Sequence, residues 1–123
     1  MQLRQLALSI FALSIFWAVA PNAQQQTTQR IPQFENESVR VWKSIIMPRQ
    51  PLTMHRHDHA RTIVALTGGT LKVVKESGES KVLTWETGKA YWLPADPPGE
   101  RHADVNETDK PIEVMVVEMK GTP

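Results

Sequence analysis

Apolar and polar positions alternate along most of this chain, and the alternation is short-ranged. From Ile112 to Met119 the sequence reads Ile-Glu-Val-Met-Val-Val-Glu-Met. A period of two marks a strand with one buried face, because successive side chains leave a strand on opposite sides. Similar runs recur upstream. Val39–Met47 is apolar and β-branched and stops at Pro48. Leu52–His57 follows, then Arg61–Thr67 with Ile63, Val64, Ala65 and Leu66 ahead of Gly68-Gly69. Thr70–Lys75 and Ser80–Trp85 flank Glu76-Ser77-Gly78-Glu79, a hairpin signature. Thr87-Gly88 turns the chain into Ala90–Leu93, Pro94–Gly99 is a loop with three prolines, and Arg101–Val105 precedes the last strand. No stretch carries the helical period. Eight short strands with Gly and Pro between them predict an all-β antiparallel sandwich or barrel. A domain this small cannot leave many sheet edges bare, which favours a closed jelly-roll β-barrel.

The amino-terminal third has a different texture. Met1–Gln5 carries a single charge, Arg4, and Leu6–Ala20 is a mostly apolar run of fifteen residues. A spanning helix needs about 20. The small-residue patterns Ala18-Val19-Ala20 and Pro21-Asn22-Ala23 follow, so residues 1–23 read as a signal peptide cleaved after Ala20 or Ala23. Gln24–Gln33 is polar and of low complexity, a linker ahead of a barrel expected over 34–120. The chain has no cysteine, which excludes both a disulfide and a lipidated cysteine. The expected setting is therefore secreted, in a bacterial periplasm, with no membrane anchor after cleavage. Without the signal, thirteen basic residues face thirteen acidic ones, and no basic stripe suggests nucleic acid. About 100 residues bury only a modest core, so a homodimer is expected.

Histidine is what sets the sequence apart. The chain of 123 residues holds four, and three stand at alternate positions, His55, His57 and His59, with His102 far along the chain. If Leu52–His57 is one strand, His55 and His57 project to one side. Two imidazoles aimed into a barrel make half of a metal site, since neutral imidazole is a common ligand for transition metals. A third ligand must come from another strand.

Two spaced motifs then give a likeness. His55-x-His57, three residues, position 61 and Gly68 resemble the first motif of the cupins. Gly88, five residues, Pro94 and Gly99-x-x-His102-x-x-x-Asn106 resemble the second. The likeness runs over roughly Val39–Met119 and implies a cupin jelly roll. It also implies a metal, since cupins usually hold one with two histidines and a glutamate of the first motif and a histidine of the second. By position His55, His57 and His102 match the ligands. The glutamate position holds Arg61, and Arg49 stands where the first motif leads with glycine.

A guanidinium cannot ligate a metal and keeps its charge. Arg61 therefore turns away, is paired with a carboxylate, or shares an anionic ligand with the ion. His59 fits no motif position: it reads first as a surface residue after a turn, otherwise as a spare inward group that contacts a ligand or as a proton shuttle, and a site with His59 in place of His57 stays open. Trp42, Trp85 and Trp92 read as core, interface or pocket wall. Asp96, Glu100 and Asp104 read first as loop charges, and second as partners orienting His102. No nucleophile with an adjacent base is visible, so catalytic residues are unassigned. The expected function is a small exported domain that binds a divalent transition metal (Fe, Zn, Mn, Ni or Cu) and a small, anionic molecule. Its metal would serve an oxygenase-like reaction. The alternative is a binding module without turnover, with or without metal.

Overall fold

The computed structural model describes residues 26–121, all β-structure and loop, with no helix among them. The expected signal peptide lies outside these residues. Nine strands form: β1 Gln29–Glu35, β2 Val39–Ile46, β3 Leu52–His55, β4 Arg61–Thr67, β5 Gly69–Lys75, β6 Ser80–Trp85, β7 Ala90–Leu93, β8 His102–Asn106 and β9 Ile112–Met119. They make two sheets, ordered β1-β2-β9-β4-β7 and β3-β8-β5-β6, and every named strand pair is antiparallel. The expected jelly roll is present.

The core follows the parity of the alternating strands. Ile63 and Ala65 of β4, Leu71 and Val73 of β5, and Ile112, Val114 and Val116 of β9 are buried together with Trp42, Ile46 and Trp85. Gly68, the last glycine of the first motif, is required by close approach: a Cβ there would overlap the Trp85 carbonyl oxygen. Its amide donates to Thr87 Oγ1 at 2.9 Å, which ties the β4–β5 turn to the loop after β6.

Two expectations are corrected. Gln29–Gln33, read as linker, is the first part of β1, which pairs with β2 from Gln29↔Ile45 to Glu35↔Arg40. Polar composition concealed it because an edge strand is held by backbone hydrogen bonds and needs little buried apolar surface. And β3 stops at His55, so His57 lies in the loop that follows.

Asn106, in the second motif, closes three segments. It is fully buried, and its Nδ2 donates to the Ile46 and Lys110 carbonyls at 2.8 and 2.7 Å. Its Oδ1 accepts from the Thr108 amide and hydroxyl at 2.9 and 2.6 Å. Asn106→Asp turns the two donors into an acceptor facing two carbonyls inside the barrel. It should lower the unfolding free energy by about 3 kcal/mol in urea titration; a change within experimental error would mean the network contributes nothing.

Met47–Gln50 is a turn with Pro48 second, closed by the Gln50 amide to the Met47 carbonyl at 3.2 Å. Its third residue, Arg49, has φ 59°, the left-handed value that a type II turn demands there and that glycine adopts freely. Arg49→Gly should raise the unfolding free energy by about 1 kcal/mol, the exposed Arg49–Asp109 ion pair that it removes being weakly stabilising. A lower melting temperature for the variant would show that the turn is unstrained.

Candidate metal centre

His55, His57 and His102 come together, each offering a ring nitrogen within 4.8 Å of the others'. The ring centroids of His55 and His102 are 4.5 Å apart, of His55 and His57 4.9 Å, and of His57 and His102 5.6 Å. Register places the first pair, since His55 of β3 is the direct partner of His102 of β8. Leu52 pairs with Asp104 on the same two strands, so three residues of β3 span two of β8. The extra residue is a β-bulge, a device that re-aims side chains.

His57 is placed otherwise. Its amide donates to Asp96 Oδ2 at 2.6 Å, and the Asp96 amide donates to the His57 carbonyl at 2.8 Å. The loop after β7 thus holds the loop after β3. Strand alternation suggested that His55 and His57 converge; they do, but a reciprocal loop pair brings it about.

Each imidazole turns Nδ1 toward an acceptor. His55 Nδ1 is 2.7 Å from the Thr53 carbonyl, His57 Nδ1 3.3 Å from Glu118 Oε2, and His102 Nδ1 3.4 Å from Asp96 Oδ2. A carbonyl can only accept, so His55 carries its proton on Nδ1 and a lone pair on Nε2. That Nε2 is buried with no hydrogen-bond partner. Burial pushes the His55 pKa down to about 4, against the bond to Thr53, so the ring is neutral near pH 7, the form a metal requires. Burial likewise lowers His102, against the charges of Asp104 and Asp96. The hydrogen bond from His57 holds Glu118 below the usual carboxylate range. Three converging ring nitrogens, each with an acceptor near the far side of its ring and one of them orphaned, suit a transition metal.

The site opens on a cavity of about 380 Å³ between the sheets, lined by His57, His102, Trp42, Trp85 and two arginines. Arg61 shares the inward parity of Ile63 and Ala65, is buried, and donates Nη1 to the Pro94 carbonyl at 3.1 Å. Burial lowers its pKa while Asp96, Asp104 and Glu118 support its charge. Of the three placements expected for Arg61, turning away is not what is seen: the side chain is inside the barrel, hydrogen-bonded to a backbone carbonyl, and the carboxylates act on it through their charge. The second arginine, Arg30, lies 5.4 Å from the Trp42 ring centroid and also lines the cavity. Sequence reasoning passed over it because it sits in β1, the segment read as linker.

His59 stays outside the triad. It lines a groove with Phe34, Trp42 and Glu118, and its Nδ1 is buried without a partner. Asp96 and Asp104, read first as loop charges, both face the histidines, whereas Glu100 pairs with Lys75 at 3.3 Å. Trp92 is exposed and leaves the cavity wall to Trp42 and Trp85. Glu118 was missed, although it continues the inward series Ile112, Val114, Val116 by one more step of two.

No family model and no curated protein matches the chain. Solved structures do. A cupin domain from Bordetella pertussis is 25% identical, with a TM-score of 0.68 over 77% of this chain and 95% of that one. An uncharacterized conserved protein with a double-stranded β-helix domain from Klebsiella pneumoniae is 21% identical, with a TM-score of 0.58 over 90% and 93%. An RmlC-like cupin family protein from Methanocaldococcus jannaschii is 14% identical, with a TM-score of 0.59 over 90% and 92%. With both motifs in place on a double-stranded β-helix, the chain belongs to the cupin superfamily.

Proposed function

We propose that this cupin is an exported protein that binds a divalent transition metal through His55, His57 and His102 and acts through it on a small anionic molecule. The observation that carries the reading is the orphaned, buried Nε2 of a neutral His55 in a cluster of three imidazoles. An unpartnered buried polar atom is costly, and a cation removes the cost. The metal would supply a Lewis acid with coordination positions left for a ligand, the arrangement an oxygenase-like reaction needs.

Arg61 and Arg30 support the anionic character of that ligand. Both line the cavity, and a guanidinium presents a planar fork that fits a carboxylate with two parallel hydrogen bonds. The same two cations favour the second reading, retention of an anion without turnover, because holding an anion requires no reaction. Export and homodimer formation belong to the proposal on the strength of the leader-like segment and the small core.

Elemental analysis of the chain beginning at Gln24, purified without a histidine tag, should give about one metal per chain, and His102→Ala should reduce this to background. No metal in either protein after incubation with each candidate ion would overturn the reading. For the ligand, Arg61→Ala should weaken binding of small carboxylates to the loaded protein by about tenfold and leave metal content unchanged. Loss of metal with unchanged carboxylate binding would sink that role. Oxygen consumption by the iron form separates turnover from retention.

A further inference from the structure

Three carboxylates surround the histidines, and they face different nitrogens. Asp96 and Glu118 face Nδ1 atoms, of His102 and His57, and Asp96 also accepts the His57 amide. Asp104 faces Nε2 atoms. Its Oδ2 is 3.6 Å from His55 Nε2, and its Oδ1 is 3.8 Å from His102 Nε2. Resting on the metal reading above, we infer that Asp104 is the fourth protein ligand, supplying from β8 the carboxylate that the first motif lost when Arg61 took its place.

Lone pairs make the case. Because His55 commits its Nδ1 proton to the Thr53 carbonyl, its Nε2 meets Asp104 lone pair to lone pair. Two acceptors in a buried site repel unless a cation or a proton lies between them. A proton is a poor fit, since a hydrogen bond from nitrogen to carboxylate oxygen spans about 2.7–3.2 Å. An ion is a better one. Ligand atoms about 2.1 Å from a tetrahedral ion stand about 3.4 Å from each other, close to both observed separations. Asp104 meets two different histidines this way, one oxygen to each.

The strand geometry is consistent. His102, Asp104 and Asn106 alternate along β8 and share its inner face. The bulge in β3 lets His55 oppose His102 while Leu52 opposes Asp104, which leaves space beside the carboxylate for the His55 ring.

The test compares Asp104→Asn, which keeps the shape and removes the charge, with Glu118→Gln, which meets the histidines at His57 Nδ1. Zinc affinity is read by competition with a chromophoric chelator, and the visible spectrum is read on the cobalt form. Asp104→Asn should lower zinc affinity at least tenfold and shift the cobalt bands. Glu118→Gln should lower affinity with the band positions kept. Unchanged affinity and spectrum in Asp104→Asn, with His102→Ala metal-free, would overturn the role of Asp104 and leave the three-histidine site standing. A wild type that takes up neither ion would overturn both. If Asp104→Asn fails to fold by circular dichroism, a crystal structure of the zinc-loaded wild type decides. An Asp104 oxygen about 2.0–2.2 Å from the ion supports the inference, and one in hydrogen-bond contact with the protein instead refutes it.

Discussion

The site depends on the pairing of β3 with β8, where one extra residue on β3 sets His55 opposite His102. Without the bulge, Leu52 and His55, three residues apart, would fall on opposite faces, and either the core would lose a leucine or the site a histidine. With it, Leu52 packs against the core while His55 meets His102. The second motif fixes the other strand. Asn106 bonds to β2 and to its own turn, which sets the height of His102 in the barrel four residues earlier. A buried asparagine with a structural part therefore sets where one imidazole of the triad stands.

Orientation is a separate matter from position. Imidazole has two nitrogens, and a ring that can turn over offers a metal no preformed lone pair. Here a carbonyl and a glutamate bond to the Nδ1 of His55 and His57, and an aspartate lies 3.4 Å from that of His102, each from a different part of the chain. The Thr53 carbonyl comes from the strand that carries His55, Glu118 from the other sheet, and Asp96 from the proline-rich loop. That loop brings Asp96 to His57 and His102 together and so forms part of the site.

The barrel, the strand order along the chain and the histidine triad were legible because alternation, turn residues and motif spacing are local signals. The site's surroundings were less so. Asp104 and Glu118 could have been found by counting in twos from His102 and Ile112, but charged residues ordinarily face water, so Asp104 read as a loop charge and Glu118 was passed over. Arg30 was hidden by composition, since an edge strand of Gln, Arg and Pro resembles a linker. The end of β3 at His55 was not legible, because the His57–Asp96 bonds that replace strand pairing join residues thirty-nine positions apart. What a sequence pattern records is parity, and it is silent on which distant loop returns to hold a chain end.

Charge gives Arg61 its meaning. A guanidinium about 4 Å from a divalent ion would be repelled by about 8 kcal/mol at an effective dielectric of about 20, so exchanging glutamate for arginine at this position cannot stand alone. Three carboxylates, Asp96, Asp104 and Glu118, act on Arg61, and the last is its direct cross-strand partner on β9. They lie at strand and loop positions outside the first motif, so the site's negative charge comes from other parts of the chain. In a barrel closed by two sheets, side chains from neighbouring strands reach the same few ångströms of space, and a ligand set can change which strand contributes each member while keeping its overall charge. The outcome is a cluster of three histidines with a buried arginine and three carboxylates around it.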